Sequence, residues 1–194
     1  LDLDKEGSAQ NASHPHTLLS PSAFRHLARQ LGVNQSSQVV VYDDVGIYSS
    51  PRAWWMFKVM GFNNVAVLDG GLPIWLKERR PINRATKSNP KMGNFTVSFQ
   101  SDQVCEAELM VQQLYSGNIQ VFDARSSARF YAEVEEPRPR LRSGHIPNSI
   151  NLPFTELIND GTLKTSEQLE QTILPLLLEN KKIIASCASG ITAC

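Results

Sequence analysis

The sequence has few cysteines, no excess of charge of either sign and no long apolar run. Its 194 residues carry 19 Lys and Arg against 19 Asp and Glu, for a formal net charge of zero. This balance lacks the basic surface typical of proteins that bind nucleic acids or anionic membranes, so neither partner is expected. No apolar stretch approaches the roughly 18 residues that span a bilayer. With 41% hydrophobic and 20% charged residues, the composition is that of a folded globular protein.

Cysteine occurs only at positions 105, 187 and 194. Three cysteines at this spacing are too few for a disulfide framework or a zinc site, and we expect no metal or organic cofactor. A reducing compartment fits this content, so we expect the cytoplasm, with the mitochondrial matrix as the alternative. Cys105 and Cys194 have no chemically suggestive setting, and we expect both to be structural or incidental.

An internal repeat is the main feature that the sequence does contain. The segment Val39–Tyr48 aligns without a gap to Ile183–Thr192, and each has a short apolar run, a pivot residue and a glycine three residues later. The pivot is Asp43 in the first copy and Cys187 in the second. Short β-branched runs predict fully buried strands, and glycine permits the positive φ of a tight turn. We therefore expect a unit of helix, strand and loop that occurs twice.

Start and stop signals place helices and strands around both copies. Prolines and hydroxyl side chains mark helix starts, and glycines mark helix ends. Helices alternate with short apolar strands, which indicates an α/β fold built on mainly parallel sheets. The predicted helices cover Ser20–Leu31, Ser49–Phe57 and Thr165–Leu178, and strands beyond the two of the repeat cover Val65–Leu68 and Ile119–Phe122.

A change of composition divides the chain into two domains. In the middle of the chain Pro, Asn, Lys, Ser and Thr dominate without helical periodicity, which is typical of a linker. We expect a first domain over residues 1–82, a linker over 83–104 and a second domain over 105–194. A strand before Leu1 and a helix after Cys194 would complete the two copies, so we expect the protein to be truncated at both ends.

Cys187 has the setting of a nucleophile. It follows an apolar strand, and open α/β sheets bind ligands at the carboxyl ends of their strands. Small residues come next, in the order Ala-Ser-Gly-Ile-Thr-Ala-Cys, so backbone N–H groups can turn inward as an anion-binding nest. A nest favours the thiolate and lowers the pKa of the thiol, as a nucleophilic cysteine requires. A phosphate-transfer loop would need arginine six residues after the cysteine, and Ala193 stands there instead.

Four motifs carry a resemblance to a known family. The loop Cys187–Cys194 is similar to the active loop of the tandem-domain sulfurtransferases of the rhodanese superfamily, in particular their 3-mercaptopyruvate branch. Three more stretches, Tyr48–Met56, Val67–Leu72 and Glu136–Pro147, agree with it in the family's order. The resemblance implies two rhodanese-like domains, of which only the second keeps its nucleophile. The first domain, with Asp43 at the pivot, is then catalytically silent.

The resemblance also implies how the donor binds. Thiosulfate enzymes place cationic residues just after the cysteine, whereas Ala188 and Ser189 are neutral here. Mercaptopyruvate carries one carboxylate and one ketone, and Arg129 and Arg138 match the family positions that bind these groups. The remaining substrate contacts that the resemblance implies come from the loop itself, namely Ala188, Gly190, Ile191 and Thr192.

A proton relay is the last feature that the resemblance implies. In this branch the serine two residues after the cysteine, Ser189, pairs with a histidine and an aspartate of the first domain. His16 and Asp4 are the expected partners. The spacing departs from the family pattern by about one residue, so His14 and Asp2 remain open as the alternative.

The implied reaction is sulfur transfer through a persulfide on Cys187. Sulfur comes from 3-mercaptopyruvate, pyruvate leaves, and a thiol such as thioredoxin, a small thiol or cyanide accepts the sulfur. Two alternatives stay open at this point. Thiosulfate is the donor in the first, and the second is a rhodanese-like binding module without catalysis, against which the presence of Cys187 argues.

Overall fold

The computed structural model describes residues 1–83, 90–139 and 141–194. The chain divides into two compact units, Leu1–Val104 and Cys105–Cys194. Each unit contains helices and parallel strands, so the predicted α/β class is confirmed. The linker predicted over residues 83–104 includes six residues, 84–89, that lie outside the described part of the chain.

The first unit begins with a helix that its own sequence delimits. Helix α1 covers Pro21–Gln30, and the hydroxyl of Ser20 accepts a hydrogen bond from the N–H of Ala23, which satisfies one donor of the first turn. Gly32 follows the helix with a φ of 79°, a conformation that glycine adopts without strain. The buried side chains of α1 lie three and four residues apart on one face, at Phe24, Leu27 and Ala28.

Two parallel strands and two more α-helices follow α1 in the first unit. The elements are β1 (Val39–Val41), α2 (Ser50–Val59), β2 (Val65–Val67) and α3 (Gly71–Lys77), and Val39 and Val41 pair with Val65 and Val67. The turn into α3 packs against the loop after β1. A Cβ at Gly71 would lie 2.5 Å from the carbonyl oxygen of Gly46, so only glycine fits there.

The second unit has a three-stranded parallel sheet with β3 (Ile119–Asp123) at its centre. Its neighbours are β4 (Ile150–Asn151) and β7 (Lys182–Ser186), and Asp123 aligns with Asn151 and Ser186. Because parallel strands end at the same edge, the loops after all three lie close together. The other elements are α4 (Ala107–Gln113), α5 (Ser127–Phe130), the antiparallel pair β5 (Ile158–Asn159) and β6 (Thr162–Leu163), and α6 (Ser166–Ile173).

The repeated strands are only half-buried, so the prediction that they are fully buried is wrong. Val40 of β1 is 53% exposed, and Ile183 of β7 is 51% exposed. Both β1 and β7 have a hydrogen-bonded neighbour on one side only, among the described strands. Side chains alternate between the two faces of a strand, and only one face of each edge strand packs against the core. The apolar run alone does not contain this information.

The predicted helix over Thr165–Leu178 is too long. It begins as expected, with a capping box between Thr165 and Gln168, but α6 ends at Ile173 and continues as a 3-10 turn over Leu174–Leu176. Pro175 explains the early end, because its ring removes a helical N–H donor and collides with the preceding turn of an α-helix.

The core of the first unit includes a residue from the segment that composition identifies as a linker. Phe95 is 0% exposed and packs with its ring centroid 5.8 Å from Phe24, 6.0 Å from Phe57 and 5.5 Å from Phe62. Its carbonyl oxygen accepts a hydrogen bond of 2.8 Å from Nε of Arg29. The segment around Phe95 is therefore an integral part of the first unit, although it forms neither helix nor strand.

We expect the substitution Phe95→Ala to lower the free energy of unfolding of the first unit by about 3–5 kcal/mol, because it leaves a cavity among aromatic rings. Phe99→Ala is the matched control. Phe99 is 42% exposed, and its loss should change stability by about 0.5 kcal/mol or less. Urea unfolding of both variants measures the difference, and equal effects would show that Phe95 is not a core residue.

Candidate active site

The loop after β1 surrounds a carboxylate with hydrogen-bond donors. Oδ2 of Asp43 accepts hydrogen bonds from the N–H groups of Tyr48 (3.0 Å), Ser49 (2.9 Å) and Ser50 (3.0 Å), and from the Ser50 hydroxyl (3.0 Å). Burial raises the pKa of Asp43, but these donors outweigh it and hold the pKa below its ordinary value. The loop of the first copy is therefore an anion-binding nest that its own Asp43 side chain fills.

The loop after β7 places Cys187 in a comparable nest. Its Sγ accepts a hydrogen bond of 3.1 Å from the N–H of Gly190, whose φ of 77° fits the predicted tight turn. Burial raises the pKa of the Cys187 thiol. Donors from the Thr192 hydroxyl and from the N–H groups of Ser189, Thr192 and Gly190 outweigh burial, so the pKa lies below its ordinary value. The hydrogen-bond donors of this loop thus favour the thiolate form of Cys187.

The other two cysteines differ from Cys187 in their surroundings. Burial raises the pKa of the Cys105 thiol, the opposite direction from Cys187. Cys194 lies in the same loop as Cys187, and its thiol donates a hydrogen bond of 3.1 Å to the carbonyl oxygen of Gly190. Cys194 thus holds the loop from the other side of the glycine that contacts Cys187.

A pocket of about 670 Å³ opens beside Cys187 within the second unit. Arg125, Glu136, Arg142 and His145 line it together with the cysteine. The imidazole of His145 stacks on Phe130 at 3.8 Å, and its Nδ1 is 2.8 Å from the Phe130 carbonyl oxygen.

The two predicted donor-binding arginines have different neighbours. Arg138 donates a hydrogen bond from Nη2 to the carbonyl oxygen of Ala188, which places its guanidinium against the Cys187 loop. Arg129 donates from Nε and Nη2 to the carboxylate of Glu136. Neither arginine lines the pocket beside Cys187.

Glu136 belongs to a chain of four alternating charges. Arg125 contacts it at 2.9 Å, and the same guanidinium binds the carboxylate of Asp123, with Nη2 2.6 Å from Oδ2. Arg125 also donates to the carbonyl oxygen of Gly144 at 2.7 Å. The hydrogen bond from Arg129 is the main reason that the pKa of Glu136 lies below its ordinary value, since burial acts in the opposite direction.

In the first unit the structure pairs His16 with Asp4. Nε2 of His16 lies 2.7 Å from Oδ1 of Asp4. His16 Nδ1 is buried and has no hydrogen-bond partner in the described part of the chain, an arrangement that proteins rarely tolerate. The backbone at His16 is held by Arg52, whose Nη2 donates to its carbonyl oxygen at 2.7 Å and whose guanidinium stacks over Trp55 at 4.5 Å.

The alternative pair has other partners. Asp2 forms an ion pair of 3.0 Å with Lys5, and Nδ1 of His14 lies 2.8 Å from the hydroxyl of Ser13. The geometry therefore favours His16 and Asp4 as the pair that could act together.

Sequence reasoning did not single out Glu136 and Arg125 as functional. Glu136 stands in a motif quoted for its similarity, but its role depends on contacts with residues seven and eleven positions earlier, across an irregular segment. No periodicity connects these positions. The Asp-Ala-Arg sequence at the end of β3 was the one available signal, since it places a buried acid beside a base.

Over residues 1–83, 90–139 and 141–194, no cluster of three or more acidic, histidine or cysteine side chains is placed to hold a metal ion. None of the helices within these ranges has the length and apolar character that crossing a membrane requires.

Comparison with solved structures supports the two-unit architecture. The chain superimposes on the crystal structure of a 3-mercaptopyruvate sulfotransferase from Escherichia coli with a TM-score of 0.87 at 36% identity, covering 100% of this chain and 72% of that one. A 3-mercaptopyruvate sulfurtransferase from Leishmania major shares the fold with a TM-score of 0.76 at 24% identity, covering 100% of this chain and 54% of that one.

Comparison with characterised proteins finds sulfurtransferases of two kinds. The 3-mercaptopyruvate sulfurtransferase of Escherichia coli is 40% identical over 180 residues, 92% of this chain and 64% of that protein. The mouse 3-mercaptopyruvate sulfurtransferase is 36% identical over 100% of this chain and 66% of its own length. The bovine thiosulfate sulfurtransferase is 35% identical over 99% of this chain and 66% of its own length.

The chain thus spans just under two thirds of the length of these relatives. The rhodanese-like domain matches it twice, over residues 7–78 and 106–194. Both matches together cover most of the chain, and each contains one copy of the repeated strand and loop. The chain therefore belongs to the rhodanese family and carries two rhodanese-like domains.

Proposed function

We propose that this protein is a sulfurtransferase that moves the sulfur of 3-mercaptopyruvate to a thiol or cyanide acceptor through a persulfide on Cys187. The stabilised thiolate of Cys187 in its nest of N–H donors carries the proposal. The relatives named 3-mercaptopyruvate sulfurtransferase support the choice of donor.

In the first step the donor is oriented by arginines. The carboxylate and ketone oxygens of mercaptopyruvate accept hydrogen bonds, and positively charged N–H groups suit them best. The guanidinium of Arg138 lies against the Cys187 loop at Ala188. Arg129 provides the second guanidinium. Gly190, Ile191 and Thr192 complete the contacts to the donor. Neutral residues at 188 and 189 keep the loop itself free of side-chain charge, which suits a donor with a single carboxylate.

Attack by the Cys187 thiolate on the donor sulfur forms an S–S bond and breaks the C–S bond of the donor. The electron pair of the C–S bond goes to the carbon and gives the enolate of pyruvate. The proton of the donor thiol ends on that carbon, so pyruvate leaves and the persulfide keeps the negative charge. The N–H nest then stabilises the outer sulfur as it stabilises the thiolate.

Ser189, His16 and Asp4 relay the proton in this proposal. His16 has Asp4 on Nε2 and an unpartnered Nδ1, which is the arrangement of a histidine that passes a proton between two groups. The aspartate fixes the tautomer of the ring.

The second step returns the enzyme to its starting form. An acceptor thiolate, from thioredoxin or a small thiol, attacks the outer sulfur, and the S–S electron pair returns to Cys187. Cyanide reacts in the same way and leaves as thiocyanate. A reducing compartment, the cytoplasm or the mitochondrial matrix, keeps such acceptors available. Because the enzyme is covalently changed between the steps, we expect ping-pong kinetics.

Thiosulfate is the second candidate donor. The similarity to the bovine protein named thiosulfate sulfurtransferase favours it. Thiosulfate carries two negative charges. The loop offers it no cationic side chain after Cys187, because Ala188 and Ser189 are both neutral. We therefore expect thiosulfate to be the weaker donor.

Intact-mass measurement after brief exposure to each donor tests the function. Mercaptopyruvate should add the mass of one sulfur atom to the protein, and thiosulfate should add it to a smaller fraction of molecules. Cys187→Ser should abolish the addition. Cys105→Ser is the matched control and should keep it, because Cys105 has a raised thiol pKa.

Equal loading by both donors would contradict the argument from the neutral loop. Absence of loading by either donor, with the protein folded, would overturn the sulfurtransferase proposal in favour of a binding module.

The relay is tested by a pair of histidine variants. His16→Gln should lower the rate of pyruvate release from mercaptopyruvate about 100-fold or more, the usual contribution of a general acid–base group. His14→Gln should leave that rate within about twofold of the unsubstituted protein, since the exposed His14 imidazole lies against the Ser13 hydroxyl and not against an aspartate. A larger effect at His14 than at His16 would assign the relay to the other pair.

A further inference from the structure

We propose that Glu136 is a positioning residue that holds Arg129 in the orientation in which it binds the carboxylate of the donor. The inference rests on the proposed function. It is carried by the contacts of two side chains in the second unit and by their burial.

Glu136 holds one edge of the Arg129 guanidinium. The carboxylate accepts hydrogen bonds from Nε and from Nη2, the two donors of that edge. A guanidinium has five N–H donors in a planar fork, so this contact leaves the edge formed by Nη1 and Nη2 able to bind a second carboxylate. Within the described part of the chain, Nη1 of Arg129 has no hydrogen-bond partner.

The two side chains of this contact differ in burial. The side chain of Glu136 is 4% exposed, whereas that of Arg129 is 23% exposed. Glu136 is therefore the more deeply buried partner, and Arg129 is the partner that remains partly accessible. Without Glu136, a long and flexible arginine would have to lose its rotamer freedom when the donor binds.

Arg125 fixes Glu136 in turn. Its guanidinium binds Glu136 on one side and Asp123 of the central strand β3 on the other. Asp123 aligns in the sheet with Ser186, the residue directly before Cys187. The chain of contacts thus connects the orientation of Arg129 to the rigid sheet that positions the nucleophile.

Glu136 and Cys187 also line the same pocket. A carboxylate in that place would repel a donor anion if its charge were uncompensated. Two guanidiniums, those of Arg125 and Arg129, neutralise it instead. Glu136 therefore acts through Arg129 and contacts no reacting atom in this proposal.

The variant Glu136→Gln tests the inference, with Glu135→Gln as the matched control. Glu135 is its exposed neighbour in the sequence. For Glu136→Gln, kcat/KM for mercaptopyruvate should fall about tenfold or more, the loss expected for a charged hydrogen-bonded pair. In ping-pong kinetics, kcat/KM for the thiol acceptor reports the second step alone, and it should stay within about twofold.

A double variant separates positioning from a general loss of structure. If Glu136 acts through Arg129, adding Glu136→Gln to Arg129→Gln should cause no further fall in kcat/KM for mercaptopyruvate. The double variant also removes one positive and one negative charge together, so no unpaired buried charge remains to unfold the protein. Equal falls for donor and acceptor, or additive effects in the double variant, would overturn the inference.

Failure of this inference is distinguishable from failure of the proposed function. If the unsubstituted protein releases no pyruvate from mercaptopyruvate, the proposed function is wrong and the inference falls with it. If the unsubstituted protein is active and Glu136→Gln behaves like Glu135→Gln, only the inference is wrong.

Discussion

Backbone N–H groups that converge at the end of a parallel strand need an acceptor, and both units of this protein are organised by that need. In the first unit the carboxylate of Asp43 meets it, and the loop is a closed structural element. In the second unit the sulfur of Cys187 meets it. The same local fold thus stabilises a structural anion in one copy and a reactive anion in the other. The residue at the pivot, Asp43 or Cys187, determines which of the two anions the nest holds.

Near this nest, four charged side chains form a chain of ion pairs. Asp123, Arg125, Glu136 and Arg129 alternate in sign. Buried ion pairs contribute little net stability because of the cost of removing each charge from water. Their value here lies in orientation, since the Arg125 guanidinium is held between Asp123 and Glu136, and Glu136 in turn holds one edge of the Arg129 guanidinium. Arg138 is held differently, by a carbonyl oxygen of the Cys187 loop itself.

How far the sequence predicts this structure depends on whether a feature is local. The Ser20 cap, the positive φ of Gly190 and the setting of Cys187 all follow from neighbouring residues, and the structure contains each of them. The burial of Phe95 could not be predicted, because a single aromatic residue in a polar segment shows no periodicity and its burial depends on distant helices. The contacts of Glu136 could not be predicted for a related reason, since irregular chain separates Glu136 from its partners.

The most direct test of the account is the ionisation of Cys187, measured by the rate of alkylation with iodoacetamide at each cysteine across pH. The reactive form is the thiolate, so a lowered pKa moves the rise in rate to lower pH. We predict that Cys187 reacts with a midpoint below the ordinary thiol value, that Cys105 reacts above it, and that Thr192→Val moves the midpoint of Cys187 upward. A midpoint for Cys187 at or above that of Cys105 would contradict the account, because the N–H nest would then not stabilise the thiolate.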